Sequence, residues 1–273
     1  MDKLIAIVAI LAAGLTNAAE AQGIDQSRSS HPAHQGKTLD LTKPFHTRSS
    51  WRLVVTEGTP VRDFGDNEAP GALTLCLYKV LRGPCLSDPV TLPLHPPDPD
   101  YAVAWEPHYL IKAAIVYPHG PAAAPFLLLV TGSLYSGDGD QLRSTQLVSY
   151  DADKDMFQRV YGQSTGHNNN QEIRFVTDGP LRGSVISAEP QEHLPYGFWI
   201  VVNQLTPQGT YHQVLRYASA TRYNDGNPLA VIDSEMPNIQ NRLAMWKPGE
   251  PIRTPKSKPC PKPSLRNTEL WCR

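Results

Sequence analysis

The stretch FLLLVTGSL at residues 126–134 decides the fold class, because it is short, mostly apolar and interrupted by glycine. Ten further stretches share this character, and glycine, proline, asparagine or aspartate bounds nearly all of them. Such punctuation is typical of β-strands. The ten are residues 51–56, 72–80, 109–117, 142–150, 156–162, 171–178, 184–189, 197–205, 210–217 and 228–233.

Helical periodicity is weak along the same chain. Apolar residues rarely recur with the three- and four-residue spacing of an amphipathic helix outside the first residues, and the best short candidate is Pro237–Trp246. The sequence therefore predicts an antiparallel, all-β fold.

A weak internal repeat accompanies the strands. The segment FQRV at 157–160 is matched by YHQV at 211–214. Two units of four strands fit at 109–161 and 171–217, and residues 228–246 would complete a third unit with the N-terminal strands. Four strands in about 40–50 residues is the scale of a propeller blade. We predict propeller-like repeats of four-stranded units, with a β-sandwich or an irregular meander as alternatives.

The first 21 residues, MDKLIAIVAILAAGLTNAAEA, are typical of a signal peptide. The apolar run from Leu4 to Leu15 is shorter than the roughly 20 residues that span a membrane. Ala19-Glu20-Ala21 fits a signal-peptidase site, so we expect cleavage before Gln22. The sequence predicts a periplasmic or secreted protein with no membrane span after cleavage.

Charge and composition restrict the partners. The 273 residues include 25 basic and 26 acidic side chains, and the formal net charge is −1. Nucleic-acid binding normally requires a basic surface, so we expect no nucleic-acid partner.

The four cysteines all follow the predicted cleavage site. In an oxidising compartment an even number of cysteines indicates disulfides. Three connectivities are possible, and we favour the local pairs Cys76–Cys85 and Cys260–Cys272. The chain has no Cys-x-x-Cys spacing, which disfavours both a zinc site and a thioredoxin-like role.

Composition divides the exported chain into three parts. Residues 22–50 are polar and predict a flexible lead-in, and residues 51–247 form the predicted all-β domain. Residues 248–273 begin with a proline-rich segment and predict a C-terminal tail clipped by a disulfide.

The densest polar run supplies a candidate ligand site. Amides and a carboxylate in one loop can orient a sugar or a peptide, although asparagine runs also form turns. The ligand-binding candidates are His167, Asn168, Asn169, Asn170 and Glu172, together with Asp225 and Asn227 of a second loop.

Signatures of catalysis are mostly missing, including Ser-x-x-Lys and His-Glu-x-x-His. The remaining candidate is a carboxylate pair, Asp233 and Glu235, which a strand would place on one face. His167 or His212 would assist such a pair. An enzyme is therefore the less favoured class.

Asp138 and Asp140 alternate with glycine in the segment SGDGD and form a weak candidate calcium site. Otherwise we expect no cofactor and no metal. The sequence favours an exported β-rich binding or interaction protein for a protein or glycan ligand. The alternatives are an exported hydrolase that uses the carboxylate pair and an envelope structural or inhibitor protein.

Overall fold

The computed structural model describes residues 23–25, 36–79, 85, 106–119, 123–166, 170–192, 196–223, 229–247, 264–266 and 269–272. In chain order the first elements are β1 (Gly23–Asp25), β2 (Lys37–Asp40), α1 (Thr42–Phe45), β3 (Arg52–Glu57), β4 (Val61–Arg62), β5 (Glu68–Ala69), β6 (Leu73–Tyr78), β7 (Tyr109–Val116) and β8 (Phe126–Tyr135). They are followed by β9 (Gln141–Asp151), β10 (Met156–Thr165), β11 (Glu172–Phe175), β12 (Val185–Pro190), β13 (Gly197–Leu205), β14 (Tyr211–Arg222), α2 (Val231–Arg242), β15 (Ser264–Arg266) and β16 (Glu269–Trp271). The predicted all-β class is confirmed.

Three larger sheets contain most of the strands. Their strand orders are β2-β3-β6, β1-β7-β8-β9-β10 and β11-β12-β13-β14, and all pairs are antiparallel. The runs β7–β10 and β11–β14 are each four consecutive strands, and they correspond to the units predicted at 109–161 and 171–217. A propeller-like arrangement of such units stays a prediction.

The sheets stack face to face and α2 covers the last of them. Leu53 and Leu75 of the first sheet share a buried cluster with Leu127 of the second. The opposite face of the second sheet packs on the third, and the outer face of the third sheet packs on α2. The order of layers is therefore sheet, sheet, sheet, helix.

The central layer explains the apolar stretch that indicated the fold. In β8, Leu127 and Leu129 belong to the first cluster, whereas Phe126 and Leu128 belong to the second. Successive side chains of a strand point to opposite faces. A strand covered on both faces must be apolar at every position, so FLLLV does not alternate.

Asp155 ties the first sheet to the β9–β10 turn. Its carboxylate accepts hydrogen bonds from Ser49 Oγ at 2.6 Å, Trp51 Nε1 at 3.0 Å and Tyr150 OH at 2.7 Å. Lys79 Nζ lies 2.9 Å from the same carboxylate. The four partners come from three separate parts of the chain, so Asp155 fixes how the first two layers meet.

The flexible lead-in predicted at 22–50 is wrong for residues 37–50. Strand β2 pairs with β3, and Leu41 and Phe45 are buried in the first cluster. The segment holds few apolar residues, but backbone pairing and these two side chains are sufficient to anchor it. Farther upstream, Gly23–Asp25 pairs with β7.

The strand predicted at 228–233 is also wrong, because α2 begins at Val231 and contains Pro237. Val231, Met236 and Ile239 are buried against the third sheet. The apolar run PLAVI suits a buried strand or a buried helix, and only the neighbouring sheet decides between them.

The disulfide Cys76–Cys85 is confirmed. Cys272 is also disulfide-bonded, and its predicted partner Cys260 lies outside the described residues. Cys272 is buried in the cluster between α2 and the third sheet, and its backbone N–H donates to the Ser234 carbonyl at 2.8 Å. The end of the predicted tail thus belongs to the third core.

Candidate functional site

The predicted catalytic carboxylates lie on α2 rather than side by side on a strand. The Asp233 carboxylate accepts a hydrogen bond of 2.6 Å from Arg174 Nη1. Arg174 Nη2 also donates to Glu172 at 2.9 Å, and the other oxygen of Glu172 accepts the backbone N–H of Ile232 at 2.8 Å. This cluster fastens the first turn of α2 to β11, which is a structural task.

Electrostatics strengthen the same cluster. Burial lowers the pKa of Arg174, but the neighbouring carboxylates of Glu172 and Asp233 outweigh it, and the net pKa is raised. A guanidinium between two carboxylates stays charged. It also compensates the charge of both acids in a site where the Arg174 side chain is only 25% exposed.

Glu235 is fully buried between α2 and the third sheet. One carboxylate oxygen accepts from the backbone N–H and the hydroxyl of Thr221, at 2.6 and 2.7 Å. The other accepts from Tyr217 OH and Asn238 Nδ2, both at 3.0 Å. Four donors satisfy this carboxylate internally, whereas Asp233 is bonded to Arg174.

The polar loops that sequence analysis favoured are only partly described. His167, Asn168, Asn169, Asp225 and Asn227 lie outside the described residues. Asn170 is exposed, with φ of 62°, as expected for an asparagine in a turn. Next to it, Gln171 Oε1 accepts from Thr165 Oγ1 at 3.0 Å. His212 is exposed on β14, an edge strand of its sheet.

Asp138 and Asp140 form the β8–β9 turn. Ser136 Oγ donates to Asp138 at 2.5 Å, and the backbone N–H of Gln141 donates to Asp140 at 2.8 Å. The Ser136 hydroxyl is the main reason that the pKa of Asp138 is lowered. Among the described residues no group of three or more metal-ligating side chains is present. Calcium binding stays an untested prediction.

Beside this turn lies an open depression that the sequence did not indicate. It has a volume of about 320 Å³ and lies between the β4–β5 and β8–β9 hairpins. We call it the hairpin depression. Its lining residues are Phe64, Glu106, His108, Ser133, Leu134, Ser136, Asp140 and Leu142.

Apolar side chains are unusually exposed here. Phe64, at the tip of the β4–β5 hairpin, is 77% exposed, and Leu142 on β9 is 42% exposed. Tyr135 is 41% exposed next to the depression and packs edge-on against Tyr109, with ring centroids 5.6 Å apart. Exposed apolar groups gathered at one place typically mark an interaction surface.

The hydroxyls of the hairpin depression are hydrogen-bonded away from its histidine. Ser133 Oγ donates to the Leu134 carbonyl at 2.7 Å, and Ser136 Oγ donates to Asp138. His108 Nδ1 bonds the Pro70 carbonyl at 2.8 Å, and Nε2 lies 3.5 Å from Glu106. Nucleophilic catalysis requires the serine hydroxyl to donate its proton to a base such as His108. In this arrangement neither Ser133 nor Ser136 does so.

An acidic side chain lies next to Phe64 at the hairpin depression. Asp63 precedes Phe64, and the backbone N–H of Asn67 is the main reason that the pKa of Asp63 is lowered. Burial raises the pKa of Tyr109, and the negative charge of Asp63 raises it further. The lining of the hairpin depression thus combines apolar side chains with two acids, two serines and His108, whose Nε2 lies 3.5 Å from Glu106.

Sequence analysis missed this site because its residues come from three separate segments. One local signal was available. Phe64 stands in the turn sequence DFGD at 63–66, and an aromatic side chain in such a turn is expected to be exposed. Leu142 and Leu134 looked like ordinary strand residues, and only the packing leaves them at the surface.

Comparison with protein-family models, curated proteins and solved structures finds no match to this chain. Within the described part of the chain, no helix is long and apolar enough to cross a membrane.

Proposed function

We propose that this chain is an exported binding protein that holds a segment of another protein in the hairpin depression. The observation that carries the proposal is the exposure of Phe64 and Leu142 around one concave surface. Covering a phenylalanine of this kind stabilises a complex by about 2 kcal/mol. A partner segment that covers Phe64, Leu134 and Leu142 therefore removes their apolar surface from water, which favours the complex.

The hydrogen bonds of the buried and half-buried acids favour binding over hydrolysis. Asp155, Asp233 and Glu235 each hold parts of the fold together through several hydrogen bonds. If one of these acids acted as a catalyst, it would have to give up hydrogen bonds that hold two parts of the fold together. The hairpin depression joins two separate hairpins at the surface, so a ligand can reach it without disturbing the cores.

Export is supported by the cysteines. Cys76 and Cys85 form a disulfide and Cys272 is disulfide-bonded, which suits an oxidising compartment. The proposed signal peptide, residues 1–21, lies outside the described residues. A periplasmic or secreted location is therefore part of the proposal.

The test is selection of peptides from a display library on the purified protein, followed by affinity measurement on variants. We expect selected peptides to lose at least tenfold in affinity for the double variant Phe64→Ser/Leu142→Ser. The matched control is Met156→Ser. Met156 is exposed to the same extent as Leu142, but it lies at the opposite end of the β9–β10 hairpin.

Peptides that bind the double variant and the wild type equally well would contradict the proposal. Circular dichroism of both variants checks that the sheets remain. Because the substituted side chains are exposed, we expect both variants to fold as the wild type does.

A further inference from the structure

Strand β14 is an edge strand with little protection against further pairing. It pairs with β13 on one side and with no described strand on the other. Proline, lysine or a short length usually protects such an edge, but β14 has twelve residues and contains neither proline nor lysine. Register shifts on both sides leave residues 215–218 as its longest stretch in regular pairing with β13. The outward backbone groups of this stretch suit an additional strand.

Arg216 lies in the middle of this stretch, and it is exposed. Its guanidinium carbon lies 4.8 Å from the centre of the Trp199 ring on β13. Within the described part of the chain, the guanidinium forms no hydrogen bond and no ion pair besides this stacking. The indole thus holds the guanidinium in place while the N–H groups at its rim remain able to donate.

The acid on the same face of the third sheet is bonded elsewhere. Glu189 of β12 lies opposite Trp199. Its Oε1 accepts hydrogen bonds from Gln163 Nε2 and, at 2.8 Å, from Ser187 Oγ. Strand β13 lies between Glu189 and Arg216, and β14 itself contains no aspartate or glutamate. The edge of β14 therefore presents a positive charge that no acid of its own strand balances.

We infer that β14 binds an extended segment of a partner protein as an additional strand, and that an aspartate or glutamate of this segment pairs with Arg216. This second binding surface is separate from the hairpin depression, because β14 belongs to a different sheet. Directly opposite residues of antiparallel strands have Cβ atoms about 4.5–5.5 Å apart and project to the same face. A carboxylate opposite Arg216 can therefore accept two N–H groups of the guanidinium.

Ala218 adds a second point of recognition. It is exposed and lies opposite Trp199 in the register of β13 and β14. Because its side chain is a single methyl group, a larger apolar side chain of the added strand can reach over it to the edge of the indole. The partner segment should therefore carry an acid and, two residues away, an apolar side chain. A second copy of β14 supplies no acid, so we expect a different protein as the partner.

The test uses acetyl-Leu-Thr-Glu-Thr-Leu-amide, whose symmetry presents the same side chains in either strand direction, and its central glutamine and lysine analogues. Binding to the purified mature protein is followed by chemical-shift changes. We expect the glutamate peptide to bind about fivefold more tightly than the glutamine peptide, and the lysine peptide to bind most weakly. At least one backbone amide of residues 215–218 should exchange its hydrogen more slowly in the complex. A glutamate peptide that is N-methylated at its three central residues should not bind, because strand addition needs its N–H donors.

Two variants of Arg216 locate the charge effect. Arg216→Gln should reduce the affinity for the glutamate peptide about fivefold and leave that for the glutamine peptide unchanged. Arg216→Glu should reverse the preference, so that the lysine peptide binds more tightly than the glutamate peptide. The control Lys154→Gln removes the same charge in the β9–β10 turn, where the side chain is 66% exposed, and it should change neither affinity. Circular dichroism checks that the three variants keep their sheets.

Several results would overturn the inference. Equal binding of the three peptides, or unchanged binding by Arg216→Gln, excludes the pairing with Arg216, and undiminished binding of the N-methylated peptide excludes strand addition. If Phe64→Ser/Leu142→Ser abolishes binding and Arg216→Gln does not, the peptide occupies the hairpin depression, so the proposed function gains support while this inference fails. A dimer that protects residues 215–218 makes the occupant a second copy of this chain. If no peptide binds at millimolar concentration, this inference is wrong, and the display selection alone decides the proposed function.

Discussion

The indole Nε1 of Trp51 donates a hydrogen bond of 3.0 Å to the carboxylate of Asp155, which lies 104 residues farther along the chain. The Trp51 ring also packs edge-on against Phe157, with centroids 5.2 Å apart. One side chain thus joins the first sheet to the β9–β10 turn through both polar and apolar contacts. The acid that receives it should be important for stability.

Replacing Asp155 by Asn should lower the melting temperature by several degrees at pH 7. The pKa of Asp155 is held well below its ordinary value, first by Lys79 and then by the hydroxyl and indole donors. Stability from a lowered folded-state pKa is present above the ordinary value of about 4 and is lost as the pH falls through the lower value. The difference between wild type and variant should therefore shrink below pH 4.

Melting curves at pH 7 and pH 3 measure this difference, with Asp153→Asn as the exposed control in the same turn. An equal difference at both pH values would show that Asp155 acts through its shape alone.

Replacing Arg174 by Met should destabilise the protein by about 3 kcal/mol, because Glu172 and Asp233 would lose the cation between them. In Arg174→Met/Asp233→Asn the remaining repulsion is relieved, so the double variant should be less destabilised than the sum of the single variants. Urea unfolding of the four proteins measures the coupling energy. Additive single effects would mean that the ion pair contributes nothing.

Replacing Glu235 by Gln should cost about 2 kcal/mol. An amide presents one acceptor oxygen where the buried carboxylate presents two, so one pair of donors, from Thr221 or from Tyr217 and Asn238, loses its acceptor. Glu57→Gln, at an exposed site on β3, is the control and should change the free energy of unfolding by less than about 0.5 kcal/mol. Unchanged stability of Glu235→Gln would contradict the structural role of Glu235.

Gly183 and Gly209 allow backbone strain to be separated from crowding. Both have positive φ, 82° and 81°, but a Cβ at 183 would lie 2.9 Å from the carbonyl oxygen of Pro118, whereas a Cβ at 209 would meet nothing within 4 Å. Gly209→Ala should cost about 1 kcal/mol from the left-handed backbone. Gly183→Ala should cost clearly more, because Pro118 belongs to backbone that cannot move freely. Chemical denaturation of both variants measures the difference, and equal costs would contradict the crowding.

Strands were predictable where local pattern and final environment agree. β7 to β14 lie close to their predicted positions because turn residues bound each of them. Prediction failed at Leu41 and Phe45, whose polar neighbours disguise two buried anchors. It failed again at α2, where Pro237 suggested a boundary although the helix continues through it.

The candidate site was harder to predict than the fold. Glu172 was selected as a ligand-binding candidate and Asp233 as a catalytic one, but Arg174, between them in space, forms an ion pair with each. The chemistry of a carboxylate depends on which donors surround it, and those donors come from distant segments. Phe64 and Leu142, in contrast, were not among the predicted site residues, since their exposure depends on how the two hairpins lie relative to each other.

The order of residues along this chain was enough to determine an antiparallel, all-β fold and the local disulfide Cys76–Cys85, because strand alternation, turns and short loops are local properties. Only the tertiary structure decided which faces are covered and which acids are enclosed. Burial and hydrogen bonding depend on layers brought together from segments up to a hundred residues apart, as the contact between Trp51 and Asp155 illustrates.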